Sequence, residues 1–208
     1  MKNPWLEIQA EDYEGHMGSK SVCQFEPLRK IFNSALKKFS PKKVAILGCA
    51  TGNGIEEIDF EKIEKLYALD INPNYLEIVK NRYRNNLQKI EAICGDLDKI
   101  SLSFSEMDFI YAALIFEYVD IGKVLKKAAK SLREGGALIA VIQLPCKEIP
   151  EVTPTKFKSL EKLTTIMKLV DIENFVSIAK ENKLSLNFSK IHPLKSGKKF
   201  WEGRFIKS

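Results

Sequence analysis

The chain has 208 residues, 45% of them hydrophobic and 29% charged, with a net charge of +6; that balance suits one compact domain with a substantial core. Its longest apolar runs are strand-length and its opening residues lack the apolar core of a secretory signal, so neither a membrane span nor export is expected. The four cysteines, Cys23, Cys49, Cys94 and Cys146, form no C-x-x-C pair, so disulfides and zinc are not expected and the reducing cytoplasm is the expected setting.

Lysines are spread along the chain. The nearest thing to a cluster is Lys195, Lys198 and Lys199, with Arg204 and Lys207 beyond. A solvated basic surface is the expected reading, not a nucleic-acid footprint.

Residues 1–21 are polar, with Trp5, Tyr13, His16 and Met17 standing among them. Their apolar side chains are too few and too irregular to predict a core layer. After Glu26-Pro27 the spacing of Leu28, Ile31, Phe32, Ala35, Leu36 and Phe39 predicts an amphipathic helix. Ser40-Pro41 ends it. An apolar strand over 43–48 runs into Gly48-Cys49-Ala50-Thr51-Gly52-Asn53-Gly54, and a short helix follows. Leu66 to Asp70 is a second strand. Asn72-Pro73 supplies a cap and a first-turn proline for a helix to about Asn85. Lys89 to Cys94 is a third strand, closed by Gly95-Asp96. Met107 to Ala113 is a fourth, apolar enough to be central. A helix carrying Val124, Leu125, Ala128, Ala129 and Leu132 follows, stopped by Glu134-Gly135-Gly136, and Ala137 to Leu144 is the fifth strand.

Pro150 and Pro154 then bracket a linker. Helices are expected near 154–168 and from Asp171 to about Asn182. Leu184 to Ile191 and Lys199 to Ile206 read as an antiparallel pair, joined by a loop in which His192 is read as a surface residue. Strand-helix repeats with continuously apolar strands predict an α/β fold around a parallel sheet.

Four features fall at strand ends. The glycine loop is spaced G-x-x-x-G-x-G and so lacks the dinucleotide register, which needs glycine where Ala50 and Asn53 stand. That disfavours a nicotinamide oxidoreductase. Asp70 lies about 20 residues beyond the loop, where a carboxylate accepts from ribose hydroxyls. Asp96 closes strand three. Strand four continues as Asp108-Phe109-Ile110-Tyr111-Ala112-Ala113-Leu114-Ile115-Phe116-Glu117-Tyr118-Val119.

Taken in order over residues 43–143, these motifs resemble class I S-adenosylmethionine-dependent methyltransferases. The glycine loop resembles their first motif, with Ala50 replacing its second glycine. Leu132-Arg133-Glu134-Gly135-Gly136 resembles the turn that leads into their fifth strand. The resemblance implies a Rossmann-like, doubly wound sheet of seven strands in the order 3-2-1-4-5-7-6, mostly parallel with an antiparallel C-terminal hairpin. It implies one domain in three parts: a cover and first helix over 1–40, a cofactor core over 41–145, and C-terminal helices and hairpin over 146–208.

The resemblance further implies S-adenosylmethionine as cofactor and S-adenosylhomocysteine as product. The implied contacts are Tyr13, Gly48, Cys49, Ala50, Gly52, Asp70, Ile71, Asp96, Leu97 and Ala113. Asp70 would take the ribose, Asp96 the adenine amino group, and the backbone after strand four the amino acid end. Tyr118 stands where the family often has histidine. His16, in a segment expected to fold over the strand ends, is the candidate proton acceptor; a polar lid residue without a catalytic role is the alternative. No metal is implied.

A small-molecule methyl acceptor is the expected partner, with no particular molecule indicated. The N/D-P-P-Y sequence of amino-directed nucleic-acid enzymes is absent after strand four. Cys146 near strand five lacks the Pro-Cys partner of RNA cytosine-5 enzymes. A protein that binds the cofactor without turnover, as a sensor or partner subunit, is the second reading.

Overall fold

The computed structural model describes residues 3–208; Met1 and Lys2, the first two residues of the expected cover, lie outside the described residues. The strands are β1 (Lys43–Leu47), β2 (Lys65–Asp70), β3 (Ile90–Cys94), β4 (Met107–Ala113), β5 (Leu132–Gln143), β6 (Leu184–Pro193) and β7 (Lys199–Lys207). They form one seven-stranded sheet in the order β3-β2-β1-β4-β5-β7-β6. β1 to β5 are parallel, and β7 runs antiparallel to both β5 and β6. This is the implied Rossmann-like order, with the apolar β4 in the middle.

The apolar runs divide between two faces because successive side chains of a strand point opposite ways. Val44, Ile46, Phe109, Tyr111, Ile139 and Val141 pack into one core. Ala45, Leu47, Ile110, Ala112, Leu138, Ala140 and Ile142 pack into the other. The first core is covered by α1 (Ala10–Gly18), α2 (Phe25–Phe39) and α3 (Pro73–Arg82), the second by α4 (Ile121–Ser131) and α5 (Ile172–Glu181). The caps are the acids and amides seen in the sequence. Asn72, Asp120 and Asp171 accept from the backbone N–H of Asn74, Lys123 and Asn174 at 3.0, 2.9 and 2.8 Å.

The structure departs from expectation in five places. Residues 10–18 form a helix, and Ile8, Ala10, Tyr13 and Met17 are buried in the first core. The segment is therefore part of the core as well as a cover. Only a 3₁₀ turn, Lys158–Thr165, stands where a helix over 154–168 was expected. There the Thr164 and Thr165 hydroxyls donate to the carbonyls of Glu161 and Lys162, competing with a regular helix. β5 begins at Leu132, ahead of the glycines expected to precede it. A Cβ on Gly136 would lie 2.7 Å from the Met107 carbonyl oxygen, so glycine there lets β5 approach β4. His192 is half-buried in β6, its Nε2 2.6 Å from Glu202 Oε2. Lys198, read as a solvated surface cation, is buried at 2% exposure.

Candidate active site

The β1 strand turns at Gly48, whose φ of +72° suits glycine and whose Cβ would meet Ile115 Cδ1 at 3.0 Å. Ala50 sits in the left-handed region at φ +45°. Its N–H donates to Asp70 Oδ2 at 2.8 Å, and the Asn72 N–H donates to Asp70 Oδ1 at 2.8 Å. The carboxylate at the end of β2 thus fixes the glycine loop against its own strand. Burial pushes Asp70 up to about 6 against these hydrogen bonds.

Asp96 follows β3. Its Oδ1 accepts from the Asp98 N–H at 3.0 Å and its Oδ2 pairs with Lys99 Nζ at 2.9 Å. Burial raises this carboxyl, and the bonds from Lys99 and Asp98 outweigh burial and leave it below the usual carboxylate range. β4 ends in Ala113, after which the Leu114 N–H donates to the Val141 carbonyl at 2.8 Å.

These strand ends line one cavity of about 170 Å³. Tyr13, His16, Gly48, Ala50, Asp70, Ile71, Asp96, Leu97 and Ala113 all contribute to its wall. Cys49 and Gly52 do not. The Cys49 thiol is buried, and burial together with the nearby Asp70 pushes it up. Gly52, at φ +92°, shapes the loop from outside the wall.

The N-terminal segment roofs the cavity. Trp5 meets Tyr118 edge-on with ring centroids 5.2 Å apart, and Tyr13 lies 5.6 Å from Tyr75. Asn72 holds the roof down: its Nδ2 donates to the carbonyls of Trp5 at 2.9 Å and Ile8 at 3.3 Å. Glu14 pairs with Arg82 at 2.7 Å, and the Ser159 hydroxyl donates to Asp12. The His16 Nδ1 lies 3.1 Å from Thr155 Oγ1. Burial, aided by the charge of Lys198, pulls His16 down to about 4, so its ring is neutral at pH 7.

Away from the strand-end carboxylates, the same cavity has a second polar end that the sequence reading did not assign. Glu117 Oε1 accepts from the Gln143 N–H at 2.7 Å. The Gln143 side-chain carbonyl accepts from Gln24 Nε2 and from Lys198 Nζ, both at 3.3 Å. Lys198 also donates to the Glu151 carbonyl at 2.7 Å. Leu160, Leu163 and Met167 add apolar side chains to the same cavity wall. Burial pushes Glu117 up to about 7 and pulls Lys198 down to about 8. Glu117 lies in the run that continues strand four, but neither it nor Lys198 carries a sequence signal for its role.

Residues 46–140 match a family model described as a methyltransferase domain. An S-adenosylmethionine-dependent methyltransferase from Mesorhizobium loti is 15% identical, with a TM-score of 0.68 over 84% of this chain and 96% of that one. An N-methyltransferase from Bradyrhizobium japonicum, solved with S-adenosyl-L-homocysteine, is 16% identical, with a TM-score of 0.67 over 88% and 87%. A geranyl diphosphate methyltransferase, solved with its diphosphate and sinefungin, is 12% identical, with a TM-score of 0.69 over 88% and 78%. No curated protein sequence matches the chain.

Proposed function

We propose that the protein is a class I S-adenosylmethionine-dependent methyltransferase that methylates a small-molecule acceptor; the match of residues 46–140 to a methyltransferase-domain model supports this reading. The observation that carries this reading is convergence. Gly48, Asp70, Asp96 and Ala113 come from four different strand ends and line one roofed cavity, at the position where open α/β sheets take ligands.

The residues present fit the cofactor. In this reading the Asp70 oxygens, each holding one backbone N–H and keeping a further lone pair, accept the ribose hydroxyls. Asp96 takes the adenine amino group, with Leu97 and Ile71 against the ring. Gly48 and Ala113 let backbone approach the amino acid end. Bound there, S-adenosylmethionine supplies a methyl group on an already electrophilic sulfonium carbon. The protein's own task is to orient the acceptor and to exclude water. The roof of Trp5, Tyr13 and His16 serves exclusion. His16, neutral at pH 7, acts in this reading as a hydrogen-bonding wall.

The roof also favours a small acceptor, because a polymer would have to displace packed core residues to reach the strand ends. The test is transfer of label from methyl-labelled S-adenosylmethionine into a small-molecule extract, with Asp70→Ala as control. The expected result is acceptor-dependent S-adenosylhomocysteine and labelled product from wild type. Binding of S-adenosylhomocysteine without transfer to any fraction would support the sensor reading instead.

A further inference from the structure

The second polar end of the cavity contains two groups that the cofactor site does not use. Glu117 is 1% exposed, and its Oε2 is buried with no hydrogen-bond partner. Lys198 is 2% exposed and forms no ion pair among the described residues. Its ammonium carries three N–H donors; the Gln143 side-chain carbonyl and the Glu151 backbone carbonyl accept two of them. Both side chains line the cavity. Burial of the Lys198 ammonium is only partly offset by Cys146 and Glu151, and a buried carboxyl oxygen with no partner is likewise costly. A single ligand group can relieve both.

Gln143 is hydrogen-bonded to both groups. Its backbone N–H holds Glu117 Oε1 and its side-chain oxygen holds Lys198. With Oε1 engaged as an acceptor, a protonated Glu117 presents its O–H from Oε2. The Lys198 ammonium presents its remaining N–H. Both residues line the one cavity, whose wall also includes Leu160, Leu163 and Met167. A cationic amine would meet the Lys198 charge there.

We propose that this end of the cavity binds the acceptor through an oxyanion, a carboxylate or an ionised hydroxyl, held by Lys198 and Glu117, with the apolar body of the molecule against Leu160, Leu163 and Met167. The acceptor is thus a small acid with an apolar frame. This rests on the methyltransferase reading for its meaning as an acceptor site, but the binding itself does not require turnover.

The test is calorimetry on the full chain, with and without saturating S-adenosylhomocysteine. The probes are benzoate, phenylacetate and 3-methylbutanoate as carboxylates, and 4-nitrophenol as an ionised hydroxyl. Benzamide and benzylamine serve as neutral and cationic counterparts. At least one acid should bind at least tenfold tighter than benzamide and benzylamine. Lys198→Met, of similar volume and uncharged, should weaken that acid about ten- to hundredfold, and Lys198→Arg should restore part of the loss. The carboxylate and phenol arms separate the two sources of oxyanion. The proposal is overturned if no acid binds, if Lys198→Met binds the acid as well as wild type does, or if benzylamine is preferred. S-adenosylhomocysteine is titrated separately. If it alone fails, the cofactor assignment falls while the acid titration still decides the oxyanion site.

Discussion

Replacing Asp70 by asparagine and by alanine separates its roles in folding and in binding. The carboxylate accepts two backbone N–H bonds, each 2.8 Å long, yet burial pushes its pKa from 3.8 to about 6. Its charged form is therefore disfavoured in the folded state, by about 3 kcal/mol at neutral pH. The sign follows from linkage. A raised acid binds protons better when folded, so its cost is fully present above about pH 6 and disappears as the pH falls towards 4. Asparagine removes that cost. It also turns one amide N–H₂ towards a backbone donor and forfeits one hydrogen bond, worth about 1.5–3 kcal/mol. The two effects largely cancel, so Asp70→Asn should change unfolding free energy by no more than about 1.5 kcal/mol at pH 7.5. It should also lack the wild type's gain on acidification. Affinity for S-adenosylhomocysteine should nevertheless fall about tenfold in asparagine and up to about a hundredfold in alanine, which keeps no acceptor. Urea denaturation at pH 5 and 7.5 and calorimetry at pH 7.5 read the two quantities. An asparagine variant destabilised by more than 3 kcal/mol with unchanged affinity would make Asp70 a structural residue and refute the reasoning.

Asn72→Asp keeps the cap on α3 but turns an oxygen towards the carbonyls of Trp5 and Ile8. Hydrogen exchange should accelerate across residues 5–13, with α3 still protected and a stability loss of about 1–3 kcal/mol; uniform protection would show that Asn72 does not hold the roof. Ile8→Ala should cost about 2–4 kcal/mol in urea, because Ile8 is buried in the first core. A loss below about 0.5 kcal/mol would restore the picture of a passive cover. Ala50→Gly relieves a left-handed alanine, a strain of about 1–2 kcal/mol, partly offset by glycine's freedom in the unfolded chain. Stability should rise by up to about 1 kcal/mol, and a clear fall would mean that the Ala50 methyl group has a packing role.

The sheet was legible because its strands are buried on both faces. Runs such as Val44 to Leu47 and Phe109 to Ala113 had no other plausible home, and the glycines and acids that closed them fixed their ends. Asp70 and Asp96 were legible for the same reason, being tied to strand ends. α1 was not, because its buried face is marked only by Ala10, Tyr13, Met17 and the polar His16, with Gly15 and charged residues between. The ring of Phe157 lies where a Gly15 side chain would be, with Cζ 2.1 Å from the Cβ position. Lys198 was misread because a lysine between Gly197 and Lys199 looks solvated. Its burial depends on the Glu151 carbonyl, 47 residues away in sequence, and no local pattern reports that. Glu117 was visible only as a letter of a motif, and its partner Gln143 follows the apolar run Ala137 to Ile142 in β5.

Whether the strand ends hold S-adenosylmethionine is decided by a crystal structure of the full chain grown with saturating S-adenosylhomocysteine. Density should run from Gly48 and Ala113 past Asp70 to Asp96 beneath Trp5 and Tyr13, leaving Glu117 and Lys198 without a cofactor contact. Density at any other place, or none at these strand ends despite saturation, would contradict the cofactor assignment.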